Sequence, residues 1–199
     1  MQKLSARPVD VDSEDVRLLS TVNEQLARMN QIVSYQLQRA VQSHNRSSLA
    51  KRVNMAVSVD KVLDALAKVY VEKALSIDVD LDREAIFSGD ERDLMEVLGN
   101  VLDNAHKYGK HKILVCVAII TGTTTPKILQ FIVEDDGPGI AQDKQEFVLQ
   151  RGARADTLMQ GQGIGLAVVT DIVGSYGGTI KIDSSTLGGA KIVIEFIPD

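Results

Sequence analysis

The chain has no tryptophan, a single cysteine, no apolar run long enough to cross a bilayer and no excess of basic charge. Each absence excludes something. One cysteine, Cys116, rules out an internal disulfide, and its place in the apolar run Ile113 to Ile120 reads as a buried strand residue rather than a catalytic thiol. Without a stretch approaching roughly 20 apolar residues, or a charged-then-apolar N-terminus, no membrane contact by this segment is expected. With 22 Lys and Arg against 27 Asp and Glu, the net charge of -5 argues against a nucleic-acid partner, so any phosphate must be held by locally placed groups. What remains is an ordinary globular composition, 44% hydrophobic and 25% charged, which excludes a disordered or fibrous chain. A length of 199 residues accommodates one domain with a sizeable core and an extension of roughly fifty residues.

The extension is at the N-terminal end. From Ser13 to about Ser43 there is no proline or glycine, and Leu19, Val22, Leu26, Met29, Val33 and Ala40 recur by threes and fours. Ser13, with Glu14 and Asp15 behind it, supplies an N-cap and first-turn acids. At about 1.5 Å per residue, such a helix runs roughly 45 Å. A surface helix on its own domain would show a similar stripe, but the length favours a bundle between chains. Residues 44–57, HNRSSLAKRVNMAV, break the pattern and read as a connector, which sets the expected division at 1–50 and 51–199. Beyond it, spacing predicts helices over Ser58 to Lys73, Asp90 to Tyr108 and Ile164 to Ser175. Strands are predicted over Ser76 to Leu81, Lys112 to Ile120, Lys127 to Val133, Gly178 to Ser184 and Ala190 to Ile197, with residues 137–163 glycine-rich and aperiodic. Strands interleaved with helices, the late ones joined directly by turns, predict an α/β fold: a two-layer sandwich with a mixed sheet and helices on one face.

Three constellations carry chemistry. Glu96, Asn100 and Asn104 fall at i, i+4 and i+8 and so share one face of a helix whose other face is apolar. Interior asparagines weaken a helix, and a merely solvated face would be better served by Glu or Lys, although taken alone the set is also compatible with such a face. Asparagine carbonyls are neutral hard ligands suited to a magnesium ion already neutralised by phosphate, and Glu96 is a candidate base. Lys107 and Tyr108 follow one turn later, within reach of phosphate or ribose. Next, Asp135, Gly137 and Gly139 of EDDGPGI sit where an apolar strand ends. A carboxylate there accepts a hydrogen bond from the amino group of adenine and repels the carbonyl of guanine, although a plain hairpin turn has the same letters. Finally, GQGIGLAV, from Gly161 through Gly163, Gly165 and Leu166 to Val168, opens a helix whose exposed N–H groups suit a phosphate. It is neither a Walker loop nor a dinucleotide fingerprint. Arg151 and Arg154 lie between, able to donate to phosphates or simply to remain solvated.

In this order and spacing, the segments NVLDNAHKY, VEDDGPGI, RGARADTL and GQGIGLAV resemble the N, G1, lid and G2 boxes of the histidine kinase catalytic domain. That domain belongs to the Bergerat (GHKL) ATPases, and the wording of the segments is most similar to the PhoQ group of sensor kinases. Gly188 to Ala190 resembles the glycine element before the last strand, and the likeness covers roughly 58–199. The resemblance implies a Bergerat fold with a mobile lid, ATP and Mg2+ as cofactors, and transfer of the γ-phosphoryl group to a histidine for relay to a response-regulator aspartate. It also implies roles: Glu96 as the catalytic base and Asn100 and Asn104 as magnesium-site residues. Asp135 becomes the adenine partner, with Lys107, Tyr108, Gly137, Gly139, Arg151, Arg154, Gly161, Gly163, Gly165 and Leu166 as nucleotide contacts.

The pattern departs from the family in two places. The phosphoacceptor box of a His, an acidic residue and a nearby Pro is missing around His44, His106 and His111. The helix over 13–43 instead resembles the second helix of the dimerisation hairpin, and SARPVD its turn. The first helix, bearing the acceptor, is thus expected upstream in a longer homodimeric kinase, whose cytoplasmic portion this is and whose parent is an inner-membrane sensor. In the lid, Leu149 stands where the family carries an aromatic, with Phe147 two places earlier, and Leu158, Met159 and Gln160 occupy a stretch where the PhoQ group has an arginine. A nucleotide-dependent interaction module, or another GHKL ATPase, is the alternative reading.

Overall fold

The computed structural model describes residues 51–121, 127–149 and 164–197. The chain divides into two units, Met1–Leu49 and Ala50–Asp199, and all the described residues belong to the second. The helix expected over 13–43 and the lid residues 150–163 lie outside them.

Seven strands and four helices are described. Strand β1 (Arg52–Asn54) leads into helix α1 (Met55–Val69); β2 (Ser76–Leu81) and β3 (Ile86–Ser88) precede α2 (Glu91–Tyr108). Then come β4 (Lys112–Ile120), β5 (Ile128–Asp135), α3 (Gln142–Leu149), α4 (Ile164–Ser175), β6 (Thr179–Ser184) and β7 (Ala190–Phe196). The main sheet has the order β2-β4-β5-β7-β6, with β2 parallel to β4 and every other pair antiparallel; β1 and β3 form a separate two-stranded ribbon. Period-two alternation settles which face is covered. Ile113, Val115 and Val117 of β4, Leu129, Phe131 and Val133 of β5, and Ile192, Ile194 and Phe196 of β7 are buried, while their alternates are at least partly exposed or charged. Helix α2 meets this face with Leu94, Val97, Leu98, Val101, Leu102 and Ala105, none more than 2% exposed. Each such large side chain contributes about 1.5–3 kcal/mol by leaving water. The expected two-layer α/β sandwich with a mixed sheet is the observed fold.

Four expectations are corrected. The connector over 44–57 holds strand β1 at its end, and α1 starts at Met55 rather than Ser58 because Asn54 caps it, its side chain accepting from the Val57 N–H at 2.9 Å. Helix α1 also stops at Val69, not Lys73: Tyr70 leaves helical geometry while its N–H closes the last turn on Leu66 at 2.8 Å. Strand β5 runs two residues past Val133, taking Glu134 and Asp135 into the sheet. Helix α3 was not expected, since QDKQEFVL places its apolar residues only at one end and shows no helical period.

Helix α2 is anchored at its start by Tyr176, whose hydroxyl donates to Asp93 at 2.7 Å and accepts from the Asp90 N–H at 3.1 Å. Burial and these acidic neighbours push that phenol up to about 12, so it stays a donor throughout the physiological range. The Tyr176 ring meets Phe87 edge-on at 5.0 Å, and Phe87 meets Phe196 in the same way at 5.0 Å. Gly89 fits against this cluster only for want of a side chain, because a Cβ there would come within 2.5 Å of both the Phe87 and Tyr176 rings. Gly174 in α4 faces open space. Gly89→Ala is therefore expected to destabilise the domain by about 1–3 kcal/mol through overpacking, and Gly174→Ala to stabilise it by about 0.5 kcal/mol through backbone entropy, both read from urea unfolding midpoints.

Candidate nucleotide site

The site lies where α2, the end of β5, the start of α4 and the β6–β7 turn converge. On α2, Glu96, Asn100 and Asn104 are all half-buried and stand away from the apolar stripe. The Asn100 amide donates to the carbonyl of Glu96, one turn back, at 2.8 Å. Its Oδ1 is thereby turned toward the start of α4, where a Cβ on Gly165 would lie only 2.6 Å away. Glycine in GQGIG thus has a packing reason besides exposing backbone N–H groups: it lets α4 close on Asn100. Burial raises the Glu96 carboxyl above its ordinary value, and the nearby Asp93 charge adds to the shift. At the far end of α2, the Lys107 ammonium sits 5.3 Å from the centre of the Tyr108 ring.

Asp135 ends β5 and is 7% exposed. Its Oδ1 accepts from the N–H of Gly137 at 2.8 Å and of Ala190 at 3.2 Å, and its carbonyl accepts from Gly189 at 3.1 Å. Both side-chain bonds go to one oxygen; Oδ2 accepts neither, so the carboxylate is fixed in orientation and keeps an acceptor. Burial raises its pKa, the two backbone donors oppose that rise without cancelling it, and Asp136 adds to it. Glycines wrap the group closely. A Cβ on Gly189 would fall 2.2 Å from Asp135 Oδ1, and one on Gly137 would fall 2.6 Å from the carbonyl of Tyr108. Gly139, at φ +71°, holds the left-handed turn that brings this segment alongside the carbonyl of Gly189.

The structure brings Glu96, Asn100, Asn104, Lys107 and Tyr108 together on α2, and Asp135, Gly137 and Gly139 on one turn. Gly165 lies against Asn100. The Leu166 side chain is 5% exposed in the core, so what it can offer a nucleotide is backbone at the first turn of α4. Arg151, Arg154, Gly161 and Gly163 lie outside the described residues. Three further residues shape the site without having been picked out from the sequence. Glu134, 7% exposed, receives Ser185 at 2.8 Å and Lys191 at 3.0 Å and so ties the β6–β7 turn to β5 from the opposite side of the sheet. Asp136 accepts the N–H groups of Lys110 at 2.7 Å and His111 at 3.0 Å, pinning the turn after α2. Both belong to the EDDG run, whose unbroken acidity was the available signal. Lys73, the third, left no signal in the sequence. Among the described residues, no group of three or more His, Cys, Asp and Glu side chains is placed to hold a metal ion. No described helix is long and apolar enough to cross a membrane.

Residues 89–199, from the turn before α2 to the end of the chain, match the model of the histidine kinase-, DNA gyrase B- and HSP90-like ATPase family. The chain belongs to this family. Membership implies ATP binding. Among its relatives, the virulence sensor histidine kinase PhoQ of Salmonella typhimurium is 41% identical over 176 residues, 87% of this chain and 35% of that protein. The sensor protein PhoQ of Escherichia coli strain K12 is 40% identical over 188 residues, 93% of this chain and 36% of the other. The chain therefore spans about a third of the length of these relatives. Of solved structures, a mycobacterial sensor histidine kinase, MprB, is similar at a TM-score of 0.64 with 25% identity, covering 74% of this chain and 97% of that one. The Acinetobacter baumannii histidine kinase AdeS shares the fold at a TM-score of 0.63 with 23% identity over 98% and 88% of the two chains.

The raised Asp135 has a testable sign. A carboxyl that is harder to ionise when folded than when unfolded opposes folding once the pH rises above the ordinary carboxylate range, and this opposition vanishes below it. Asp135→Asn removes that titrating group while keeping an acceptor at Oδ1. The stability of the variant relative to wild type is expected to improve from pH 4 to pH 7, and its ATP affinity to fall about tenfold or more for loss of a charged acceptor. Thermal melts across that range and calorimetric titration at pH 7 check the two halves separately.

Proposed function

We propose that this chain is the ATP-donating part of a two-component sensor histidine kinase, with residues 51–199 as the catalytic domain and 1–50 as part of the dimerisation region. The observation that carries this reading is the buried Asp135 carboxylate, one oxygen locked by two backbone donors; on this reading the other accepts from the amino group of adenine. Lys107 and Tyr108 at the end of α2 contact the nucleotide beside it. Gly137, Gly139 and the backbone from Gly161 through Gly163 and Gly165 to Leu166 allow close approach, and Arg151 and Arg154 attend the terminal phosphates.

Asn100 and Asn104 supply neutral oxygens, which suit Mg2+ arriving on the phosphates better than a free ion, in keeping with the absence of an acidic cage among the described residues. Bound there, Mg2+ neutralises charge on the phosphate oxygens. In the reaction, an imidazole nitrogen of the acceptor histidine forms a bond to the γ-phosphorus as the bond to the bridging oxygen breaks and ADP leaves. Glu96, its affinity for protons raised by burial, orients that imidazole or takes its proton. The rest is positioning.

The acceptor belongs to a hairpin helix of the same kinase, and the phosphoryl group passes on to a response-regulator aspartate. The parent is a homodimeric inner-membrane sensor with this portion in the cytoplasm. His106 is no acceptor: it is 1% exposed, with Nδ1 bonded to the carbonyl of Leu102 at 2.8 Å.

The chain alone is expected to bind Mg-ATP and not to phosphorylate itself, whereas a polypeptide carrying the acceptor helix receives phosphate from it. Radiolabelled ATP tests both; label appearing on His44 or His111, or none on the added helix, would count against the reading. Asn100→Ala is expected to weaken Mg-ATP about tenfold while affecting magnesium-free nucleotide much less. Equal affinities in wild type and variant would remove the magnesium assignment.

A further inference from the structure

Lys73 lies in the turn after α1, outside every motif of the site. Its ammonium donates to the carbonyls of His106 at 2.7 Å, Lys107 at 2.7 Å and Gly109 at 2.9 Å. These belong to the end of α2, where a helix runs out of intrahelical partners for its carbonyls. A lysine has three N–H donors, and all three are used, so Lys73 is held by backbone and is not a free phosphate ligand. The one carbonyl of the run that it does not take, that of Tyr108, lies against Gly137, and Gly109 packs near Asp135, to whose Cβ a Gly109 side chain would come within 3.7 Å. A single ammonium therefore grips the turn whose other side forms the wall of the Asp135 cradle.

We propose that Lys73 is a positioning residue of the nucleotide site. By fixing the last turn of α2, it sets where Lys107 and Tyr108 stand and how closely the Tyr108 carbonyl meets Gly137. The proposal rests on the ATP-binding reading above. Nearby, Tyr70 provides a control: its hydroxyl donates to Asp103 at 2.8 Å and its ring packs 5.5 Å from that of His106, but it does not bond to the gripped carbonyls. Tyr70 therefore steadies α2 through side chains, Lys73 through the backbone of the site itself.

The test is calorimetric titration of ADP into the full chain and its variants, at a temperature where circular dichroism shows all of them folded, with stability measured in parallel. Lys73→Met is expected to weaken ADP about tenfold. Lys73→Arg, which keeps a fork of donors, is expected to stay within about threefold of wild type. Tyr70→Phe should lose stability and hold its affinity within about twofold. If Lys73→Met is too unstable to titrate, Lys73→Gln takes its place with the same two outcomes. Wild-type affinity in that variant, or affinity that merely follows stability across the series, overturns the proposal alone. A wild-type chain that does not bind ADP overturns the functional reading and this one with it.

Discussion

A carboxylate held out of water at the end of β5 dictates much of what surrounds it. Asp135 cannot stay charged there unless donors come to it, and the nearest are backbone N–H groups, which require the chain to approach within hydrogen-bond distance on two sides. That approach leaves no room for side chains, so Gly137 and Gly189 stand where a Cβ would strike Asp135 itself. The β6–β7 turn is then tied to β5 twice over: Gly189 and Ala190 bond to Asp135 on the inner side, while Ser185 and Lys191 bond to Glu134 on the outer. Consecutive residues of one strand thus clamp the same turn from opposite faces of the sheet, which is available only because side chains alternate along β5.

Helix α2 forms the facing wall, and its composition is poor for a helix. Gly99, Asn100 and Asn104 each cost it several tenths of a kcal/mol to about 1 kcal/mol relative to alanine. Tertiary anchors offset this. Tyr176 holds Asp93 and the Asp90 N–H at the start, while Tyr70 holds Asp103 and Lys73 holds three carbonyls at the end. Burial and the Asp103 carboxylate push the Tyr70 phenol up to about 12, so it too remains a donor at neutral pH. With its stability supplied from both ends and from the apolar face, the middle of α2 is released to carry polar side chains that would otherwise weaken it.

Much of this was legible in the sequence because it is written in periodicity and in ordered motifs. The face shared by Glu96, Asn100 and Asn104 follows from spacing alone, and the strands β4 and β5 from their apolar runs; which face of β4 is buried does not, because Leu114, Cys116 and Ala118 are as apolar as their buried neighbours. What escaped was encoded by single residues acting at a distance. Asn54 capping α1 looked like connector, the three residues of β1 are too few to show a period, and Lys73 was placed inside a helix because nothing local announces that Tyr70 will leave it. Gly165 was read for its backbone, and its closer constraint, the side chain of Asn100, comes from another helix 65 positions earlier. Contacts of that kind leave no local trace.

The run Glu134-Asp135-Asp136 shows how far environment outweighs residue type. Burial works against charge on all three. At Glu134 it is outweighed by Ser185 and Lys191, and at Asp136 by the N–H groups of His111, Lys110 and Lys112, so both carboxyls are held below their ordinary values. At Asp135 the two backbone donors do not suffice, and its carboxyl is raised. Among the described residues, the only other carboxyl that is raised is Glu96. Two acids whose charge is incompletely satisfied by the protein therefore stand one at each wall of the same site, while the fully satisfied ones serve the fold. On the proposed reading each acid is completed from outside the chain: Asp135 by the amino group of adenine, and half-buried Glu96 by the imidazole of the acceptor histidine.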